Sequence, residues 1–367
     1  MLVLGIMSGT SIDGIDYSLC EVSRRSIRLV RHWAKEFPPT LRRQLHNVAA
    51  NESTSHETAQ AHHDLGRLYA RQAVRLRPRP SLVGLHGQTI FHNPNRRCPA
   101  TLQLGEPSYI AEILRVPVIS NFRAADIAAG GQGAPLATLF HQRVFARRGR
   151  HVAVNNLGGI SNVTSLNWAR RELLQILAFD TGPANVLLDL AVRHYTGGKQ
   201  SCDKDGAWAQ RGTIHQALLV RWLAHSYFKE TPPKSTGREL FGERFWRAEQ
   251  KHITAARLSK FDVLATLTEF TAQSIALNYR RHLPAPVDSI ILCGGGARNR
   301  FLVERITAAV PENVAVTPSN DFGWPAEAIE AAAFAFLAYQ RWTNQTGNIS
   351  ETTGARHRVL LGQITHV

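Results

Sequence analysis

The chain has 367 residues, 44% of them hydrophobic and 19% charged, which suits two globular domains with a sizeable core. Lys and Arg number 43 against 28 Asp and Glu, and the resulting +15 raises nucleic acid, a membrane surface or acidic small molecules as partners. Four scattered cysteines make no CxxC pair, no basic leader precedes an apolar stretch, and no apolar run nears the ~20 residues of a membrane span, so the expectation is a cytoplasmic, soluble protein without disulfides or zinc.

"MLVLGIMS" and "IDYSLCEV" flank the polar turn "GTSIDG" and predict a hairpin. "SIRLVRHWAKEF" predicts a third strand that Pro38-Pro39 ends. Apolar residues at near-helical spacing predict a helix over 56–76, followed by a strand in "SLVGLHGQTI", a helix in "PSYIAEILR" and a strand in "VPVISNF". "GGQGAP" reads as a loop, with Pro135 in the first turn of the helix "LATLFHQRVFARR". After Arg150 the theme restarts: "HVAVNNLGGISNVTSL" is strand, Gly-containing turn, strand, and "QILAFDTGPAN" is a strand running through a polar loop into a helix. "STGRELFGERF" interrupts before the helix "VLATLTEFTAQSIALNYRRHL". Then come strand, triple-Gly loop and helix in "DSIILCGGGARNRFLVERI", and a closing helix in "EAIEAAAFAFLAYQRW". Two halves that each open on a hairpin suggest a duplicated α/β unit with a boundary near 130–150.

The turn from Gly9 to Asp16 concentrates hydroxyls and carboxylates behind a buried strand. Gly9 and Gly14 let backbone approach a ligand, Ser8, Thr10 and Ser11 add donors, and Asp13 and Asp16 can hold Mg²⁺ directly or through water. The bland alternative is a solvated tight turn. It is neither a Walker A loop nor a Rossmann fingerprint. Gly294, Gly295 and Gly296 end a strand and precede a helix, which suits backbone approach to a phosphorylated or flat ligand, or only close helix packing. Asp180 follows the apolar "ILAF", where an open α/β sheet faces its ligands. It reads as a general base or as an N-cap for the helix after Asn185. "HGQT" (His86, Gln88, Thr89), Glu106, Arg123 in "NFR", Gln132 in "GGQGAP" and "DKDG" supply the donors and acceptors of a sugar pocket. His62, His63, His86 and His92 lack a third metal ligand at a diagnostic spacing. The basic residues come as pairs such as Arg24-Arg25 and Arg280-Arg281, without a nucleic-acid-binding signature. A face that attracts anionic substrates, or merely keeps the protein soluble, is therefore favoured over nucleic acid or membrane.

In order, "GIMSGTSIDGID", "HGQTIFHNP", "TLQLGEPSYIAE", "AAGGQGAPL", "NNLGGISNVT", "FDTGPANVLLD", "DKDGAWA", "PPKSTGRELF", "CGGGARN" and "EAAAFAFLA" resemble the motifs of the anhydro-N-acetylmuramic acid kinase family over nearly the whole chain. The resemblance implies two actin-like (ribonuclease H-like) α/β domains facing an interdomain nucleotide cleft. Residues 1–140 would carry the first phosphate hairpin and part of the sugar pocket, and 141–367 the catalytic Asp, the second hairpin and the nucleoside loop. It implies an enzyme that opens the 1,6-anhydro ring of 1,6-anhydro-N-acetylmuramic acid with water. The enzyme then phosphorylates O6 from ATP with Mg²⁺, giving N-acetylmuramic acid 6-phosphate and ADP in peptidoglycan recycling, as a homodimer. By the same resemblance Asp180 is the base, and Gly9, Thr10, Ser11, Ile12, Asp13, Gly14, Ile15 and Asp16 form the ATP-phosphate segment, with Asp13 a metal ligand. Asn156, Gly158, Gly159 and Asn162 form the second phosphate hairpin, and Gly294, Gly295, Gly296 and Asn299 face the nucleoside. Thr181, Gly182, Asn185 and Glu330 support the site. The chain departs from the family's usual residues at Ala184, Asn121 and Cys202, which touches substrate fit more than reaction type. The alternatives are a simple amino-sugar kinase of this fold acting on an unbridged hexosamine, and a nucleotide-switched binding protein.

Overall fold

The opening apolar run and the two stretches after it form an antiparallel meander of β1 (Leu2–Ser8), β2 (Gly14–Val22) and β3 (Ile27–Glu36). Pro39 both stops β3 and opens α1 (Pro39–Ala49), since a proline at the first helical position loses no intrahelical bond. The structure, a computed structural model, describes residues 1–9, 12, 14–93, 99–168 and 175–367. Thr10, Ser11 and Asp13 of the first turn, and Cys98, lie outside the described residues. A Thr54/Glu57 capping box starts α2 (Ser55–Ala73). Then follow β4 (Leu82–Asn93), β5 (Ala100–Leu104), α3 (Ser108–Leu114), β6 (Val118–Ser120), α4 (Phe122–Ala128) and α5 (Thr138–Phe145). Because α5 begins at Thr138, Pro135 precedes the helix instead of occupying its first turn.

The second run of elements is β7 (His151–Leu157), β8 (Ile160–Asn167), β9 (Gln175–Pro183), α6 (Asn185–Thr196), α7 (Gln216–Leu223), α8 (Glu243–Ala255), α9 (Lys260–His282), β10 (Ser289–Cys293), α10 (Arg300–Ala309) and β11 (Ala315–Pro318). The chain closes with α11 (Ala328–Trp342), α12 (Ser350–Thr353) and β12 (Gln363–Thr365). The first sheet runs β12-β6-β4-β1-β2-β3 with β5 paired to β4, and the second runs β11-β10-β7-β8-β9. In both, an antiparallel three-strand meander joins parallel strands through its first member, β1 to β4 and β7 to β10. This repeated topology is the actin-like α/β pattern.

The chain divides into two compact units, Met1–Val144 with Glu327–Val367, and Phe145–Ala326. The expected C-terminal domain over 141–367 therefore ends early, because the closing helix returns to the first sheet. A Cβ on Gly5 would run into the Ala331 carbonyl and one on Gly84 into that of Phe334, so α11 lies backbone against strand over β1 and β4. The buried Ser18 hydroxyl of β2 donates to the Ala328 carbonyl at 2.9 Å, tying the helix start to the same sheet.

Candidate active site

In the second unit, β9 holds Asp180 opposite Asn162, beside a bulge in β9 at Thr181. The helix-cap alternative for Asp180 fails, since α6 starts at Asn185 with Ala184 at its cap position. Asp180 donates its N–H to the Lys234 carbonyl at 3.2 Å and accepts the Tyr227 hydroxyl on its own carbonyl at 2.6 Å. Its Oδ2 accepts the Thr236 N–H at 2.8 Å. Burial pushes its carboxyl up to about 7; the Thr236 N–H pulls it down, and the neighbouring Glu239 charge pushes it further up. Such a carboxyl takes and releases a proton near neutrality, which is what a general base needs. Ala184, with φ −117° and ψ −105°, directly precedes the first residue of α6. Asn121 sits at φ 54°, a left-handed conformation that asparagine tolerates.

The β7–β8 turn is fixed by the start of α6. The Gly159 carbonyl accepts the N–H groups of Ala184 and Val186, and that of Gly158 accepts the Asn185 N–H. The Asn185 amide adds bonds to the Leu157 and Gly158 carbonyls at 2.9 and 2.8 Å. Gly294, at φ 78°, leaves no room for a Cβ against the Asn156 side chain, and a Cβ on Gly296 would meet that of Leu157 at 2.8 Å. The glycine loop after β10, the β7–β8 turn and Asn185 thus converge. Asn299 caps α10, with Oδ1 accepting the Leu302 N–H at 3.0 Å. Asp203 of "DKDG" accepts the N–H groups of Trp208 and Ala209 at 2.9 Å each. Beneath the turn, Thr181 donates to Ser161 Oγ at 2.6 Å, Asn155 to the same oxygen at 2.8 Å, and Tyr279 to Asn155 Oδ1 at 2.8 Å. This buried network has no periodic signal in the sequence.

In the first unit, the turn between β1 and β2 is closed by the Ile12 N–H donating to the Gly9 carbonyl at 3.2 Å. Ile12 buries its side chain at φ 55°, a strained conformation for a β-branched residue. Gln88, assigned to the sugar by sequence, gives its amide nitrogen to the Gly9 carbonyl at 2.9 Å, and among the described residues its buried Oε1 has no partner. Burial and then the Arg123 charge hold His86 well below its ordinary pKa. The neutral ring directs Nδ1 to the Gly87 carbonyl at 2.8 Å and accepts Arg123 on Nε2, from Nη2 at 2.9 Å and Nε at 3.2 Å. Arg123 Nη1 donates to the Gly133 carbonyl at 2.6 Å, and burial lowers Arg123 to about 10 against the charges of Glu330 and Asp126. His92 is pushed down to about 4 by burial and then the Arg123 charge, and its Nδ1 lies 3.0 Å from Thr101 Oγ1. Thr89 is buried, its hydroxyl 3.5 Å from the Gln103 amide. Glu106 stands apart from these groups in its bonding: Oε2 accepts from His62 at 3.1 Å and Oε1 from the Ser108 N–H at 2.9 Å, so the carboxylate is occupied in starting α3.

The duplicated sheet topology defines the class of fold, an actin-like α/β protein. The chain belongs to the anhydro-N-acetylmuramic acid kinase family, whose profile matches residues 1–367. It is 43% identical to the anhydro-N-acetylmuramic acid kinase of Picosynechococcus sp. over 383 residues, covering 99% of each chain. It is 42% identical to that of Microcystis aeruginosa over 376 residues, covering 99% of this chain and all of the other. Among solved structures, the activator of the 2-hydroxyisocaproyl-CoA dehydratase from Clostridium difficile with bound ADPNP matches with a TM-score of 0.45 at 12% identity, covering 95% of this chain and 100% of that one. Among the described residues no helix is long and apolar enough to cross a membrane.

Proposed function

We propose that the enzyme opens the 1,6-anhydro bridge of 1,6-anhydro-N-acetylmuramic acid with water and transfers the γ-phosphoryl group of ATP to the freed O6, serving recovery of cell-wall sugars. The observation that carries this reading is Asp180, a carboxyl poised near neutrality and held at its backbone and at one oxygen. Asp180 takes a proton from water as its oxygen bonds to C1. The C1–O6 bond breaks with its electron pair on O6, and O6 attacks phosphorus while ADP leaves. The backbone of the 9–16 and 156–162 turns cradles the phosphates, and Gly294–Gly296 admit the nucleoside. His86, Arg123 and Gln132 meet the sugar, with Arg123 facing its carboxylate. Mg²⁺ would come with the polyphosphate, with Asp13 holding it directly or through water, as suits this ion. The test is ATP-dependent turnover of the bridged sugar beside N-acetylmuramic acid and N-acetylglucosamine. The bridged sugar alone should be consumed; equal or faster use of an unbridged hexosamine would make this a simple amino-sugar kinase.

A further inference from the structure

Among the described residues β9 is an edge strand of its sheet, and no other strand pairs with its outer side at Asp180. Edge strands are loosely held, yet Asp180 must keep its aim. The segment from Tyr227 to Thr236 takes the place of the missing neighbour. Tyr227 donates its hydroxyl to the Asp180 carbonyl at 2.6 Å, and the Asp180 N–H donates to the Lys234 carbonyl at 3.2 Å. The Lys234 ammonium donates to the Tyr227 carbonyl at 3.3 Å and so closes a ring of hydrogen bonds through three residues. Two residues on, Thr236 grips the carboxylate itself at 2.8 Å.

Lys234 is an unusual residue for such a place. It is 8% exposed, and its ammonium lies 4.7 Å from the Tyr227 ring centre and 5.8 Å from that of Phe179, the residue before Asp180. His282, at the end of α9, is 3.5 Å away, and Arg281 beside it donates to the Phe228 carbonyl at 2.8 Å, anchoring the segment to that helix. A buried ammonium held by ring faces and a carbonyl is costly to keep unless its position matters.

We propose that Lys234 and Tyr227 are positioning residues that lock edge-strand residue Asp180, making residues 227–236 a strap that sets the aim of the base. The proposal rests on the reading of Asp180 as the base. The test compares Tyr227→Phe, Lys234→Met, their double variant and Lys234→Arg with Asp180→Asn, measuring kcat, both KM values and thermal midpoints with ATP and the anhydro sugar. Tyr227→Phe removes one oxygen from an otherwise intact aromatic core, so it reports even where a Lys234 variant fails to fold. Tyr227→Phe and Lys234→Met should each lower kcat about tenfold with the ATP KM little changed, as expected for a shift of well under ~1 Å at the reacting group. The double variant should be no slower than the worse single one, because both break the same ring. Lys234→Arg should recover most of the rate. Full kcat in folded Tyr227→Phe and Lys234→Met, with lowered midpoints only and Asp180→Asn inactive, would overturn the strap. An active Asp180→Asn would overturn the base reading instead.

Discussion

The protonation of Asp180 should govern the acid side of the pH profile. Its carboxyl, ordinarily near 3.8, sits at about 7 because burial disfavours the charge more than the Thr236 N–H restores it. The base form is then about a tenth of the enzyme at pH 6 and about a hundredth at pH 5, so kcat/KM for the sugar should fall tenfold per unit below neutrality. Glu239→Gln removes a like charge beside Asp180, and the limb should move toward lower pH. Glu239 is exposed, so this movement should shrink in high salt. Direct quantification of the phosphorylated sugar avoids coupling enzymes with pH limits of their own. A profile flat from pH 8 to 5 in the wild type would refute the reasoning, since an ordinary carboxylate stays ionised across that range. A limb left in place by Glu239→Gln at low salt would remove that residue from the account.

Asp180→Asn should also stabilise the protein. A raised folded pKa means the wild type is unpenalised near pH 4 and increasingly penalised as pH rises to about 7, so the variant's gain in thermal midpoint should be full at pH 8 and shrink toward pH 4. Gly84→Ala should cost about 1–3 kcal/mol or more by urea unfolding, because the added Cβ meets the Phe334 carbonyl, which cannot swing aside. Asp126 accepts Asn348 Nδ2, Thr353 Oγ1 and the Gly133 N–H at 2.7 Å each; Asp126→Asn should lower the thermal midpoint by several degrees through the loss of charge-assisted bonds worth about 1.5–3 kcal/mol each. Arg123→Lys keeps the charge but not the fork that meets His86 and Gly133. The sugar KM should rise about tenfold and the ATP KM stay put in steady-state assays.

Much of this arrangement was legible because local patterning and global fold agree. Apolar runs broken by Gly, Ser, Thr and Asp mark both hairpins, and "ILAF" before Asp180 announces a buried strand meeting a polar loop. The strap was not legible, since "SYFKETPPKSTGRELF" has neither a helical nor a strand period and its bonds to Asp180 reach across 47 and 56 positions. The helix after this segment, α8, is equally hidden, since its core face is only Trp246, Glu249 and Ile253. Buried Glu249 reads as a surface residue until Trp222 Nε1 is found donating to it at 2.9 Å. The return of α11 to the first sheet rests on Gly5 and Gly84, and a glycine inside a strand does not say which backbone it admits. Glu106 and Asp203 drew a ligand reading from their loop positions alone, and nothing in the sequence signalled the hydrogen bonds their oxygens accept within the fold.

The central claim is that Asp180 activates a water that opens the sugar bridge as O6 is phosphorylated. The most direct test is single-turnover reaction of the anhydro sugar with ATP in ¹⁸O-water, using wild type and Asp180→Asn. The account predicts one ¹⁸O at C1, none in the transferred phosphoryl group, and loss of both ring opening and ADP formation in the variant. Label in phosphate with the bridge intact, or an unimpaired variant, would contradict it.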